Sequence, residues 1–85
     1  MSEPRELTIK RLTMRSMRRG IKEMDLILQA FAERRLDAMS SEELALYDQL
    51  LSENDQDLYQ WVTGQAAPPA PLSNLIQDIS VTFQQ

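Results

Sequence analysis

Met24-Asp25-Leu26-Ile27-Leu28-Gln29-Ala30-Phe31 is the stretch on which the fold turns. Its apolar residues Met24, Ile27, Leu28 and Phe31 fall at i, i+3, i+4 and i+7, the spacing of a helix packed on one face. The pattern predicts a helix over about Ile21 to Arg35. Immediately upstream stands Arg18-Arg19-Gly20-Ile21-Lys22-Glu23, preceded by the cationic amphipathic segment Arg11 to Met17. That segment predicts a first helix from about Pro4, where proline suits the first turn, to about Arg19. Gly20 would end it in the left-handed conformation. Ile9, Leu12 and Met17 are its candidate buried side. Arg11, Arg15, Arg18 and Lys22 would share a face if the helical phase carried through Gly20. A core cannot use so much charge at one corner, so this joint is expected to be a surface that meets another molecule.

Downstream, Ser40 followed three residues later by Glu43 is a capping box, in which each side chain satisfies the other's free backbone N–H. It predicts a third helix from near Ser41 to near Ser52, burying Leu44, Tyr47 and Leu51. Asn54 or Asp55 would cap a short fourth helix holding Leu58, Tyr59, Trp61 and Val62, with Gly64 as its stop. Ala66-Ala67-Pro68-Pro69-Ala70-Pro71 reads as a stiff, extended connector, because proline disfavours helix at its own position and just before it. Leu72, Leu75, Ile76, Ile79 and Phe83 then mark a last amphipathic helix. The expectation is an all-α fold, a compact bundle of about five short helices forming one domain over residues 1–85. Leu28, Phe31, Leu44, Leu51, Trp61 and Ile76 are expected to be largely buried.

Composition limits what such a bundle does. A chain of 85 residues buries roughly 60–65% of its unfolded surface, enough for a core but not for a pocket that encloses a dinucleotide. Two glycines and few β-branched or aromatic residues favour helix over sheet. Cysteine and histidine are both absent. Disulfides, zinc sites of the usual ligand types and nucleophile–histidine catalysis are thereby excluded. The clustered Glu53, Asp55 and Asp57 read as an acidic helix start favoured by the helix dipole, not as a metal site. The chain is therefore expected to be no enzyme and to hold neither metal nor cofactor.

Charge is unevenly spread. Residues 1–23 carry seven Lys/Arg against three Asp/Glu, and residues 24–85 carry two against ten. A basic N-terminal element on an acidic body orients an approaching partner, while the acidic remainder argues against general nucleic-acid binding, which rests on phosphate neutralisation. No apolar run approaches the roughly 20 residues that span a bilayer, and no signal-peptide core is visible. Glu3 and Glu6 interrupt what would otherwise resemble a mitochondrial transit segment. A bacterial-type cytoplasm is the expected location.

Arg18-Arg19-Gly20 with Glu23 and Asp25 resembles the signature of the SdhE family, small succinate dehydrogenase assembly factors that promote flavin attachment. The family's Arg-Gly-x-x-Glu core is met by Arg19, Gly20 and Glu23. The resemblance continues through Phe31, the Ser40–Glu43 helix start, Leu50-Leu51 and Asp55-Gln56-Asp57-Leu58-Tyr59-Gln60-Trp61, covering roughly residues 5–64. Gln56 stands where the family often has proline, and Met14 where an aromatic residue is common. The resemblance implies binding to the flavoprotein subunit of succinate dehydrogenase, and often of the related fumarate reductase. There the factor helps covalent attachment of FAD to a histidine of that subunit, acting in the bacterial cytoplasm or the mitochondrial matrix. The FAD belongs to the client, and the factor is expected to be a monomer when free.

On this resemblance Arg15, Arg18, Arg19, Gly20, Glu23, Asp25 and Tyr59 are the candidate partner-binding residues. Most of them have a plainer alternative. Arg19 and Glu23, at i and i+4, form a surface ion pair in that view, Gly20 is only a helix stop, and Arg11, Arg15, Arg18 and Lys22 are a solvated face. Met14, Met17 and Met24 read as adaptable core packing. Two other functional classes stay open: an antitoxin-like or regulatory interaction module, and a nucleic-acid binder using the basic first helix.

Overall fold

The computed structural model describes residues 3–17 and 19–84. Five α-helices follow one another: α1 Arg5–Arg15, α2 Lys22–Arg35, α3 Ser41–Leu50, α4 Asp55–Val62 and α5 Ser73–Gln84. Short 3₁₀ turns at Leu36–Ala38 and Ala70–Leu72 lead into α3 and α5, and there is no strand among the described residues. The expected all-α class is the observed one. α2 lies at the centre, packed against α1, α4 and α5, while α1 also lies on α3.

The four apolar positions of the opening stretch are all buried, and so are Leu44, Tyr47, Leu50 and Leu51 around α3, Leu58 and Val62 on α4, and Leu72, Leu75, Ile76 and Ile79 around α5. Phe31 and Tyr47 stack at the centre with ring centroids 5.3 Å apart and planes tilted by 39°, an arrangement that suits the aromatic quadrupoles. The guanidinium of Arg35 lies over the Phe31 ring, 5.7 Å from its centroid. Tyr47 carries its hydroxyl into the core, where Ser16 receives it. Ser16 Oγ donates to the Leu12 carbonyl at 2.8 Å, which leaves the tyrosine hydroxyl as donor to Ser16 Oγ at 2.6 Å.

The helix ends follow their local chemistry. Ser40 Oγ accepts from the Glu43 N–H at 3.1 Å, and Glu43 accepts from the Ser40 N–H at 2.8 Å, completing the capping box. Asn54 caps α4 by accepting the Gln56 N–H at 2.8 Å. Gly64 stops α4 at φ +82°, a conformation that costs glycine nothing and other residues a β-carbon clash.

Several expectations are corrected. α1 ends at Arg15, four residues before the predicted stop, and Gly20 does not adopt the left-handed conformation. To continue α1, the Arg19 N–H would have to bond the Arg15 carbonyl; it is taken instead by the Asp25 carboxylate, and the Ile21 N–H by Asp55. The helical phase is lost there, so the basic residues on either side of Gly20 do not form one continuous helical face. Met17, beyond the helix end, is 40% exposed, and Met14 is 64% exposed, so only Met24 of that group is core. On α5 the buried stripe runs from Ile79 to Thr82 at i+3, leaving Phe83 at i+4 51% exposed. Trp61 is half-buried at the edge of the core, because Leu58 and Val62 take the inward face of α4. The proline connector is extended through Pro69 and then coils, with the Leu72 N–H bonding the Pro69 carbonyl at 2.9 Å.

Candidate partner-binding corner

The corner lies between α1 and α2, around Arg19, Gly20 and Ile21, and it is held from the inside by two carboxylates, one nearby in sequence on α2 and one more than 30 positions away on α4. Asp25, in the first turn of α2, accepts the Arg19 backbone N–H. Asp55, at the start of α4, uses both oxygens: one receives Nε of Arg19, the other the Ile21 N–H at 3.1 Å. The side chains of Arg19 and Asp55 are only 13% and 11% exposed. The rest of the Arg19 guanidinium donates to the carbonyls of Leu51 at 3.0 Å and Glu53 at 3.1 Å, with a longer bond to Arg15 at 3.4 Å. The Leu51 and Glu53 carbonyls lie just past the C-terminal end of α3 and that of Arg15 at the end of α1, where backbone acceptors lack helical partners and a cation is favoured. Arg19 thus joins the end of α1, the end of α3 and the start of α4.

A second strut runs along α1. Asp48 on α3 receives Arg11 through two bonds, Nη1 to Oδ1 at 3.1 Å and Nη2 to Oδ2 at 3.0 Å, and also pairs with Arg15. Arg15 adds bonds to the Asp48 carbonyl at 3.2 Å and to Ser52 Oγ at 3.3 Å. Glu3 binds Arg11 from the other side at 3.0 Å. The hydrogen bonds from Arg11 hold the Asp48 carboxyl below the usual aspartate range, and the same contact, with help from Thr8, lowers Glu3. The Arg11 guanidinium is correspondingly raised, by Glu3 first and Asp48 second.

The sequence-predicted site residues therefore divide. Gly20 and Glu23 are exposed, and among the described residues no ion pair engages the Glu23 carboxylate. Arg15, Arg19 and Asp25 are spent on internal bonds. The plainer pairing of Arg19 with Glu23 is not formed, since Arg19 is turned to Asp55. Tyr59 is half-buried, its ring against the core. Arg18 lies outside the described residues. An open depression of about 500 Å³ lies at the corner, lined by Arg19, Gly20, Ile21, Asn54, Asp55 and Gln56. A second, about 540 Å³, lies along α1 between Leu7, Lys10, Arg11 and Met14. Both are surface hollows. Sequence reasoning missed Asp48 and Asp55 as partners of the arginines, because each sits more than 30 positions away and nothing local marks it.

The family model described as flavinator of succinate dehydrogenase matches residues 10–82, and the chain belongs to that family. It is 49% identical over 61 residues to the mitochondrial succinate dehydrogenase assembly factor 2 of Meyerozyma guilliermondii, covering 72% of this chain and 45% of the relative. Over 80 residues it is 38% identical to assembly factor 2-A, mitochondrial, of Drosophila willistoni, covering 92% and 51% of the two. The Aedes aegypti assembly factor 2 is 39% identical over 77 residues, 88% of this chain and 48% of the relative. The chain thus spans about half the length of these relatives. All three are eukaryotic and named as mitochondrial, which overturns the expected bacterial cytoplasm.

Proposed function

We infer that this chain is an assembly factor that binds the flavoprotein subunit of succinate dehydrogenase and promotes covalent attachment of FAD to it, without catalysing the bond itself or retaining the flavin. For the named relatives the place of action is the mitochondrion. Family membership supports the client class. The observation that carries the reading is the build of the corner: Gly20 and Glu23 are exposed on a loop tied down by Asp25 and Asp55. A charged, pre-set surface of this kind recognises one conformation of a partner. A factor that binds the attachment-competent conformation of its client more tightly than the others raises that conformation's population. It needs no histidine, cysteine or enclosed pocket, and the chain has neither residue type.

The test is a strain lacking the gene. Its flavoprotein subunit is expected to lose flavin fluorescence on a denaturing gel and to regain it when the chain is restored. Undiminished fluorescence in the deletion strain would overturn the reading. Probing the fumarate reductase flavoprotein on the same gel decides whether that subunit is a second client. Tight FAD binding by the isolated chain would instead make it a flavin carrier.

A further inference from the structure

Of the two residues that hold the corner from outside its own loop, Asp55 reaches furthest. It comes from a different helix, more than 30 positions along the chain, and its two oxygens serve two positions that flank Gly20: the Arg19 guanidinium and the Ile21 amide. No other described carboxylate bridges the glycine in this way. A β-carbon built on Gly20 would have the Asp55 oxygen that accepts the Ile21 amide as its nearest neighbour, at 3.8 Å, an ordinary van der Waals distance, so the carboxylate lies beside the exposed glycine. Arg19 and Asp55 are nearly buried while Gly20 is open to solvent. The arginine of the signature therefore faces inward, and the glycine faces outward.

We propose that Asp55 is a positioning residue for client binding: by clamping the chain on both sides of Gly20, it sets the direction in which Gly20 and Glu23 are presented. The proposal rests on the reading that this corner meets the flavoprotein. Asp55 itself does not touch the client. It keeps the loop in one conformation, so the client does not have to select that conformation from many. When the binding-competent fraction falls to a tenth, the apparent affinity falls about tenfold.

The experiment compares Asp55→Asn with Glu23→Ala and wild type, measuring binding to the purified flavoprotein subunit and amide hydrogen exchange of the free chain. Asparagine keeps the size of the side chain but loses the charge that holds Arg19, and with it the fixed orientation of the oxygen that accepts Ile21. For Asp55→Asn we expect exchange at Arg19 and Ile21 to quicken about tenfold or more, protection in the centres of α2, α3 and α5 to persist, and affinity to drop about tenfold. Glu23→Ala is expected to weaken binding with exchange unchanged. The double variant Arg19→Ala/Asp55→Asn is expected to bind no worse than Arg19→Ala alone, since partners in one unit are not additive.

Wild-type affinity in Asp55→Asn, with Glu23→Ala weakened, would overturn the positioning role and leave the functional reading intact. Loss of protection throughout the helices, with binding reduced only by the unfolded fraction, would also overturn it, making Asp55 a stability residue. If the wild-type chain fails to bind the flavoprotein, the functional reading fails, and the exchange comparison alone then decides whether Asp55 orders the loop.

Discussion

At Gly20 a β-carbon has room, for its nearest neighbour would be the Asp55 carboxylate at 3.8 Å and the backbone there needs no left-handed conformation. Gly20→Ala is therefore expected to fold as wild type. Gly20→Arg is expected to keep its melting temperature nearly unchanged, as an exposed substitution does within about 0.5 kcal/mol, while abolishing binding to the flavoprotein by filling the approach to the corner. A large loss of stability in Gly20→Arg, measured by thermal unfolding, would mean that the loop tolerates no side chain. Glu23→Ala should likewise leave unfolding within about 0.5 kcal/mol and reduce flavin incorporation in a complementation assay. Tyr47 is the opposite kind of residue. Its hydroxyl is buried and donates to Ser16, and Tyr47→Phe removes one buried hydrogen bond while leaving Ser16 bonded to Leu12. A cost of about 1 kcal/mol is expected in denaturant unfolding.

At the scale of elements, what was legible in the sequence was whatever local chemistry dictates. The 3–4 spacing of Met24, Ile27, Leu28 and Phe31 defined α2 and its buried face, and the Ser40–Glu43 box placed the start of α3. Gly64 stopped α4 as expected. The end of α1 was not legible, because it is decided by Asp25 and Asp55 capturing backbone N–H groups from outside the helix. For the same reason Arg15, Arg19 and Asp25 were named from the sequence as partner-binding residues although they are spent on internal bonds, and Asp48 and Asp55 were not recognised as the arginines' partners. Trp61 and Phe83 were misplaced where two neighbouring positions on one helix competed for the inward face and the smaller residue won it. The capping box gives the sharpest check at this scale. Ser40→Ala is expected to cost about 1 kcal/mol, with calorimetry showing the loss. Trp61→Ala, with its ring only half-buried, should fall below the ~3–5 kcal/mol typical of fully buried aromatic truncations.

Across the whole molecule, the basic first helix and the acidic body are joined through Asp48, and this makes stability depend on pH in a definite direction. Asp48 is depressed chiefly by its hydrogen bonds from Arg11, against the opposing effect of burial. A carboxyl whose folded value lies below its unfolded value of ~3.9 stabilises the fold above that value. The contribution is lost as pH falls through the lower, folded value. Glu3, lowered by Arg11, and Glu43, lowered by the Ser40 backbone, act in the same sense. Tyr47 works at the other end: burial raises its hydroxyl to about 12. For a group raised on folding, the stabilisation is complete below the unfolded value of ~10 and disappears as pH rises through the folded one. Melting temperature is therefore expected to fall on acidification below about pH 4 and again above about pH 10. Asp48→Asn separates the first limb from general acid unfolding. It should melt lower than wild type at neutral pH, where Arg11 and Arg15 lose their charged partner, and the two curves should converge as acid protonates Asp48 in the wild type. Tyr47→Phe should start lower at neutral pH and lose less than wild type between pH ~10 and ~12. Parallel curves for wild type and Asp48→Asn down to the lowest pH would show that the charged link between α1 and α3 contributes nothing to the acid limb, and that the basic helix is held by the packing of Ile9 and Leu12 and by the bonds of Arg5 and Arg15 to backbone carbonyls.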